Sequence, residues 1–126
     1  MSTQQIVLLV TSRETQLEAF AEALRSDPNV ELITIDSAEA SVEAAVRLVP
    51  VLAIIDQEVG GVSGMDIVQR LLEVNAFIYT AMLTEMDEAL FHERSEGLGI
   101  LSEVAFQPGP TDAVDLLAKL REVAPV

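Results

Sequence analysis

Apolar and polar positions in this chain follow two alternating rhythms. Ile6-Val7-Leu8-Leu9-Val10 and Val51-Leu52-Ala53-Ile54-Ile55 are unbroken apolar runs, the mark of strands buried on both faces of a parallel sheet. Val30 to Ile35 alternates apolar with polar, which suits a strand exposed on one face at the sheet edge. Phe77 to Leu83, closed by Thr84, and Ser102 to Phe106 supply a fourth and a fifth strand. Between the runs, apolar residues recur at three- and four-residue steps, the spacing of amphipathic helices. Leu17, Phe20, Ala21 and Leu24 mark a helix over Thr15 to Leu24, with the Thr11 and Ser12 hydroxyls placed to cap it. Ala38, Val42, Ala45, Val46 and Val49 form the stripe of a second, begun by Asp36-Ser37 and ended by Pro50. Gly64 to Glu73 makes a third, and Met86 to Glu96 a fourth of mixed polarity. Thr111 is expected to cap the fifth, whose apolar face is Val114, Leu117, Ala118 and Leu120.

A strand–helix order repeated five times predicts an α/β fold, a single domain over 1–126. Right-handed crossovers make it a doubly wound five-stranded parallel sheet with five helices, of flavodoxin-like type. Ligands and chemistry in such sheets gather beyond the carboxyl ends of the strands. That edge gathers Thr11-Ser12, Asp56, Thr84 and Gln107. Asp56 closes the central strand just before a glycine-bearing loop, where an Asp serves equally well as a turn former.

Composition narrows the chemistry. The chain has 126 residues, half of them hydrophobic but only five aromatic, so its core is Leu, Val, Ile and Ala. Without cysteine there is no disulfide or thiolate site. A single histidine, His92, argues against His-rich metal sites and a Ser-His-Asp triad. Seven basic against twenty-one acidic residues give a net charge of −14, which repels phosphate backbones and anionic lipid. No apolar run approaches the roughly 20 residues of a membrane span, and Met1 to Gln5 lacks the basic start of a signal peptide. A cytoplasmic domain without direct nucleic-acid or membrane binding is expected.

Asp56 with the loop ending in Ser63-Gly64, Thr84 at the end of the fourth strand, and the Gln107-Pro108 pair resemble the receiver (CheY-like) domain of two-component response regulators. The resemblance runs over nearly the whole length. It implies a non-enzymatic signalling domain of a phosphorelay, with Asp56 as phosphoacceptor and Thr84 as the hydroxyl that steers the phosphoryl group. It also makes Pro108 a candidate for a cis peptide bond. Carboxylate attack on a phosphodonor requires Mg²⁺ to offset the repulsion of two anions. The family holds that ion with an acidic pair after the first strand, and here Thr11 and Ser12 stand in those places. Neutral hydroxyls substitute poorly for carboxylates. Gln107 stands at the family's lysine position and lacks the charge to pair with a phosphoryl group. Val104 replaces the switch aromatic, and Phe106 is expected to face the other side of the strand. Glu85, after Thr84, crowds an incoming donor, and Gly60 in place of a proline is expected to loosen the loop.

Three readings follow. The leading one is an atypical pseudo-receiver acting through protein–protein contacts, with weak or no Asp phosphorylation and no cofactor. Its partner, a kinase, an effector domain or another receiver, would dock on the face of the fourth helix, fifth strand and fifth helix, Met86 to Val126. Exposure of Met86, Leu90, Phe91 and Leu101 would support that face. The alternative is an ordinary phosphoacceptor receiver, with Mg²⁺ recruited by Glu14, Glu58 or water. The third is a small-ligand or enzymatic site on a flavodoxin-like fold, with Asp56 and Glu58 as an acid/base pair. His92 is expected to be a plain helix residue.

Overall fold

The computed structural model describes residues 4–124. Strand β1 (Gln5–Val10) leads through a 3₁₀ turn, Glu14–Leu17, into α1 (Glu18–Arg25). Then come β2 (Val30–Ile35), α2 (Ala38–Leu48), β3 (Leu52–Ile55), α3 (Gly64–Val74), β4 (Tyr79–Thr84), α4 (Glu88–Arg94), β5 (Ser102–Ala105) and α5 (Pro110–Val123). The five strands are all parallel in the order β2-β1-β3-β4-β5, the flavodoxin-like arrangement. β2 is an edge strand, as its alternating sequence predicts.

Strand parity divides the core. Val7, Leu9, Leu52, Ile54, Ala81, Leu83 and Val104 face α1 and α5. Leu8, Val10, Ala53 and Ile55 face α2 and α3. Both faces of β1 and β3 are therefore dry, which is why their sequences never alternate. Among the described residues, no helix is long and apolar enough to cross a membrane.

Several boundaries and faces differ from expectation. The fourth strand starts at Tyr79, not Phe77, because the Asn75 side chain accepts the Phe77 N–H at 3.0 Å and folds the chain into an Asx turn. Phe77 is left 92 % exposed. The α2 stripe is rotated from the expected one. Ala38, Ser41, Ala44 and Ala45 are buried while Val46 and Val49 are exposed, since close approach to sheet and α3 takes small side chains. On α5 the buried set is Ala113, Leu116, Leu117 and Leu120, and Val114 and Ala118 face solvent. Thr111 does not cap that helix. Gly109 is the N-cap residue, and Asp112 accepts its N–H at 2.8 Å. Nor do Thr11 or Ser12 cap the first helix, whose start carries no side-chain cap. Ser37 and Asp87 do cap, each accepting a backbone N–H of the first turn, at 3.1 and 2.8 Å.

Candidate functional site

β1 and β3 are neighbours whose chain connections leave in opposite directions, so a crevice opens beyond their carboxyl ends. Asp56 is held there by the sheet itself, its N–H donating to the Val10 carbonyl at 2.9 Å. The loop after it is not loose. Gly60 and Gly61 both have positive φ, 58° and 84°. They close a two-residue hairpin that pairs Glu58 with Ser63 and Val59 with Val62, and Val59 is buried. Gly64 then starts α3 hard against the Asp56 backbone, where a Cβ would lie 2.3 Å from the Asp56 carbonyl oxygen. Only glycine fits that approach.

The Asp56 side chain is 2 % exposed, and four donors converge on it. Thr11 Oγ1 donates to Oδ2 at 2.7 Å, and Arg13 Nε donates to the same oxygen at 2.7 Å. Arg13 Nη2 reaches Oδ1 at 3.0 Å, and the Gln57 N–H reaches Oδ1 at 2.8 Å. A carboxylate offers about four lone-pair sites, so all are used. The Arg13 contact is a bidentate ion pair, the strongest common form. Its guanidinium is fixed from two further sides. Nη2 also donates to the Phe106 carbonyl, and the Phe106 ring lies 3.8 Å from the guanidinium carbon, in cation–π contact. Thr11 Oγ1 in turn accepts the Arg13 N–H at 3.0 Å, which turns the chain so that the arginine folds back over the sheet end.

Arg13 is the functional residue missing from the sequence expectations, and Phe106 lies elsewhere than expected. The expectation that Phe106 faces the side of the strand opposite Val104 fails on parity, since residues two apart share one face of a regular strand. β5 ends at Ala105, and the turn beyond it brings Phe106 over Arg13. A signal for Arg13 was present, since a basic residue directly follows Thr11 and Ser12, where the receiver resemblance implies carboxylates.

Among the described residues, none of the other expected site residues hydrogen-bonds to the Asp56 carboxylate. Thr84 Oγ1 donates to Gln57 Oε1 at 3.2 Å and accepts the Met86 N–H at 3.0 Å. Gln57 Oε1 also accepts the Glu85 N–H at 2.7 Å, so Gln57 closes a bridge between the β3 and β4 loops. Gln107 is exposed and Val104 buried. Among the described residues no peptide bond is cis; Gln107–Pro108 takes the trans form that X-Pro bonds favour. Glu14 accepts from Thr34 at 3.3 Å, away from Asp56. Ser12 and Glu58 line a cavity of about 320 Å³ with Arg13, Asp56, Gln57 and Phe106. Of the four apolar residues expected on the α4–β5–α5 face, Leu90 is exposed, Met86 and Leu101 are half-buried, and Phe91 belongs to the core.

No family model matches the sequence, and no curated protein matches it. Solved structures do. The response regulator domain of Thermotoga maritima CheB superposes with a TM-score of 0.80 at 18 % identity, covering 98 % of both chains. A CheY-like receiver domain from Methanospirillum hungatei gives 0.82 at 16 % identity over 95 % of this chain and 96 % of that one. The receiver domain of a putative response regulator, NarL, from Mycobacterium tuberculosis gives 0.80 at 15 % identity over 94 % and 98 %. The chain has the fold of response-regulator receiver domains.

Proposed function

We propose that this is a receiver-like signalling domain that works by binding a protein partner, with Asp56 serving as the buried half of an ion pair and not as a phosphoacceptor. The observation that carries this reading is the saturated carboxylate: Thr11, both Arg13 nitrogens and the Gln57 N–H take its four acceptor positions. A nucleophile needs a free lone pair aimed at phosphorus. The residues also fit Mg²⁺ poorly. That ion wants carboxylate oxygens in octahedral array, whereas Thr11 and Ser12 are neutral, Arg13 brings a cation against Asp56, and Glu58 is the one other carboxylate lining the cavity. Gln107 offers no charge to a phosphoryl oxygen. Partner contacts are assigned to the α4–β5–α5 face, where Leu90 is 36 % exposed, and a chain of net charge −14 favours a basic partner surface.

Intact-protein mass spectrometry after incubation with Mg²⁺ and acetyl phosphate tests this, with a competent receiver and Asp56→Asn alongside. The expected result is no phosphoryl adduct on this chain while the competent receiver labels. An adduct that vanishes in Asp56→Asn would restore an ordinary phosphoacceptor and overturn the reading.

A further inference from the structure

Away from Asp56, a second group of side chains converges on the groove between α4 and β5. Glu88 and His92 lie four residues apart on α4 and so share one helix face; His92 Nε2 is 3.8 Å from Glu88 Oε1. Glu103, from β5, approaches the same point, and one ligand atom from each of the three lies within 4.8 Å of the others. We propose that Glu88, His92 and Glu103 bind a divalent transition-metal ion of the Zn²⁺ class.

The chemistry of the donors supports this. One imidazole and two carboxylates on two elements make a three-ligand set that leaves a fourth position for water. Tetrahedral donors about 2.0–2.1 Å from zinc stand roughly 3.4 Å apart. Glu88 and His92 are exposed and Glu103 half-buried, so rotamer changes can close the remaining distance. Charge points the same way. Two carboxylates face each other on a chain of net charge −14, and among the described residues neither pairs with an arginine or lysine. The nearby Lys119 ammonium donates to Ser102 Oγ at 3.1 Å instead. A cavity of about 240 Å³ lined by Thr84, Met86, Glu88, Glu103, Val104 and Ala105 adjoins the cluster, with room for the water ligand. The imidazole selects zinc, nickel or copper over magnesium, which prefers oxygen ligands and keeps its water. α4 buries only Phe91, so the ion would act as a clamp that ties a lightly anchored helix to the sheet edge. This site does not depend on how Asp56 behaves.

Isothermal titration of the full chain with ZnCl₂, repeated with MgCl₂, tests the site together with His92→Ala and Glu103→Gln. The expected outcome is one equivalent of Zn²⁺, with affinity falling about tenfold or more in each variant and excess Mg²⁺ failing to compete. His92 is exposed and Glu103 half-buried, and circular dichroism checks that both variants fold. Absence of saturable Zn²⁺ binding, or binding unchanged in either folded variant, would overturn the assignment.

Discussion

Asp56 holds its charge at the end of β3 with almost no contact with solvent. Burying an ion costs several kcal/mol unless partners replace its water, and here Arg13 is the partner that carries charge. Arg13→Ala is therefore expected to destabilise the fold by about 3 kcal/mol, the lower end for breaking a buried pair, because the adjoining cavity admits water. Urea unfolding measures this. In the double variant Arg13→Ala/Asp56→Asn the loss should be smaller than the sum of the single losses by about 1 kcal/mol or more. Strict additivity would mean that the two residues do not support each other. Thr11 has a different task. It donates to the carboxylate and accepts the Arg13 N–H, so one hydroxyl both satisfies the acid and aims the base.

The helices show where local conformation works against the chain. α2 ends on Val49 at φ 48° and ψ 63°, a left-handed conformation that crowds a β-branched side chain and costs about 1–2 kcal/mol. The side chain is 66 % exposed, so little packing offsets that strain. Val49→Gly is expected to stabilise the protein by about 1 kcal/mol, read as a rise in the thermal midpoint; an unchanged or lowered midpoint would refute it. The same helix shows what the sequence made legible. The strands were readable because β1 and β3 are buried on both faces and therefore carry unbroken apolar runs, and from their order came the topology and the place of Asp56. The buried face of α2 was not readable, since Ser41 and Ala44 pack inward while Val46 points out. Hydrophobicity marks what prefers burial, but close packing selects for size. Phe77 failed for a related reason, an Asn75 turn overriding an aromatic strand signal. The Arg13–Asp56 pair joins residues 43 apart in the chain, through a side chain that folds back from a loop. No local period encodes such a contact.

Over the whole molecule seven cations stand against twenty-one acids, and Arg13 and Arg121 pair with carboxylates distant in the chain. Arg121 Nη2 meets Asp27 Oδ2 at 2.7 Å and ties α5 to the turn before β2. Burial pushes the Asp27 carboxyl up, but the Asn29 N–H and the Arg121 guanidinium outweigh it and hold the group below its ordinary value. A depressed carboxyl contributes stability that is complete above its unfolded value, about 3.9, and disappears as pH falls through the folded one. Arg121→Ala should thus cost up to about 1 kcal/mol at neutral pH, the range of a partly exposed pair. The deficit should shrink below about pH 4; a deficit independent of pH would point to lost packing instead. The Arg13 pair carries a different lesson about supply. A diffusible ion fills its site according to its concentration, and a chelator empties it. The guanidinium beside Asp56 belongs to the same polypeptide, so its local concentration is fixed by a short loop, and dilution or chelation leaves it in place. A motion that swings the turn after β1 outward, or a competing anion for the arginine, would release it. At this end of the sheet, positive charge is inherited with the chain and does not have to be captured from solution.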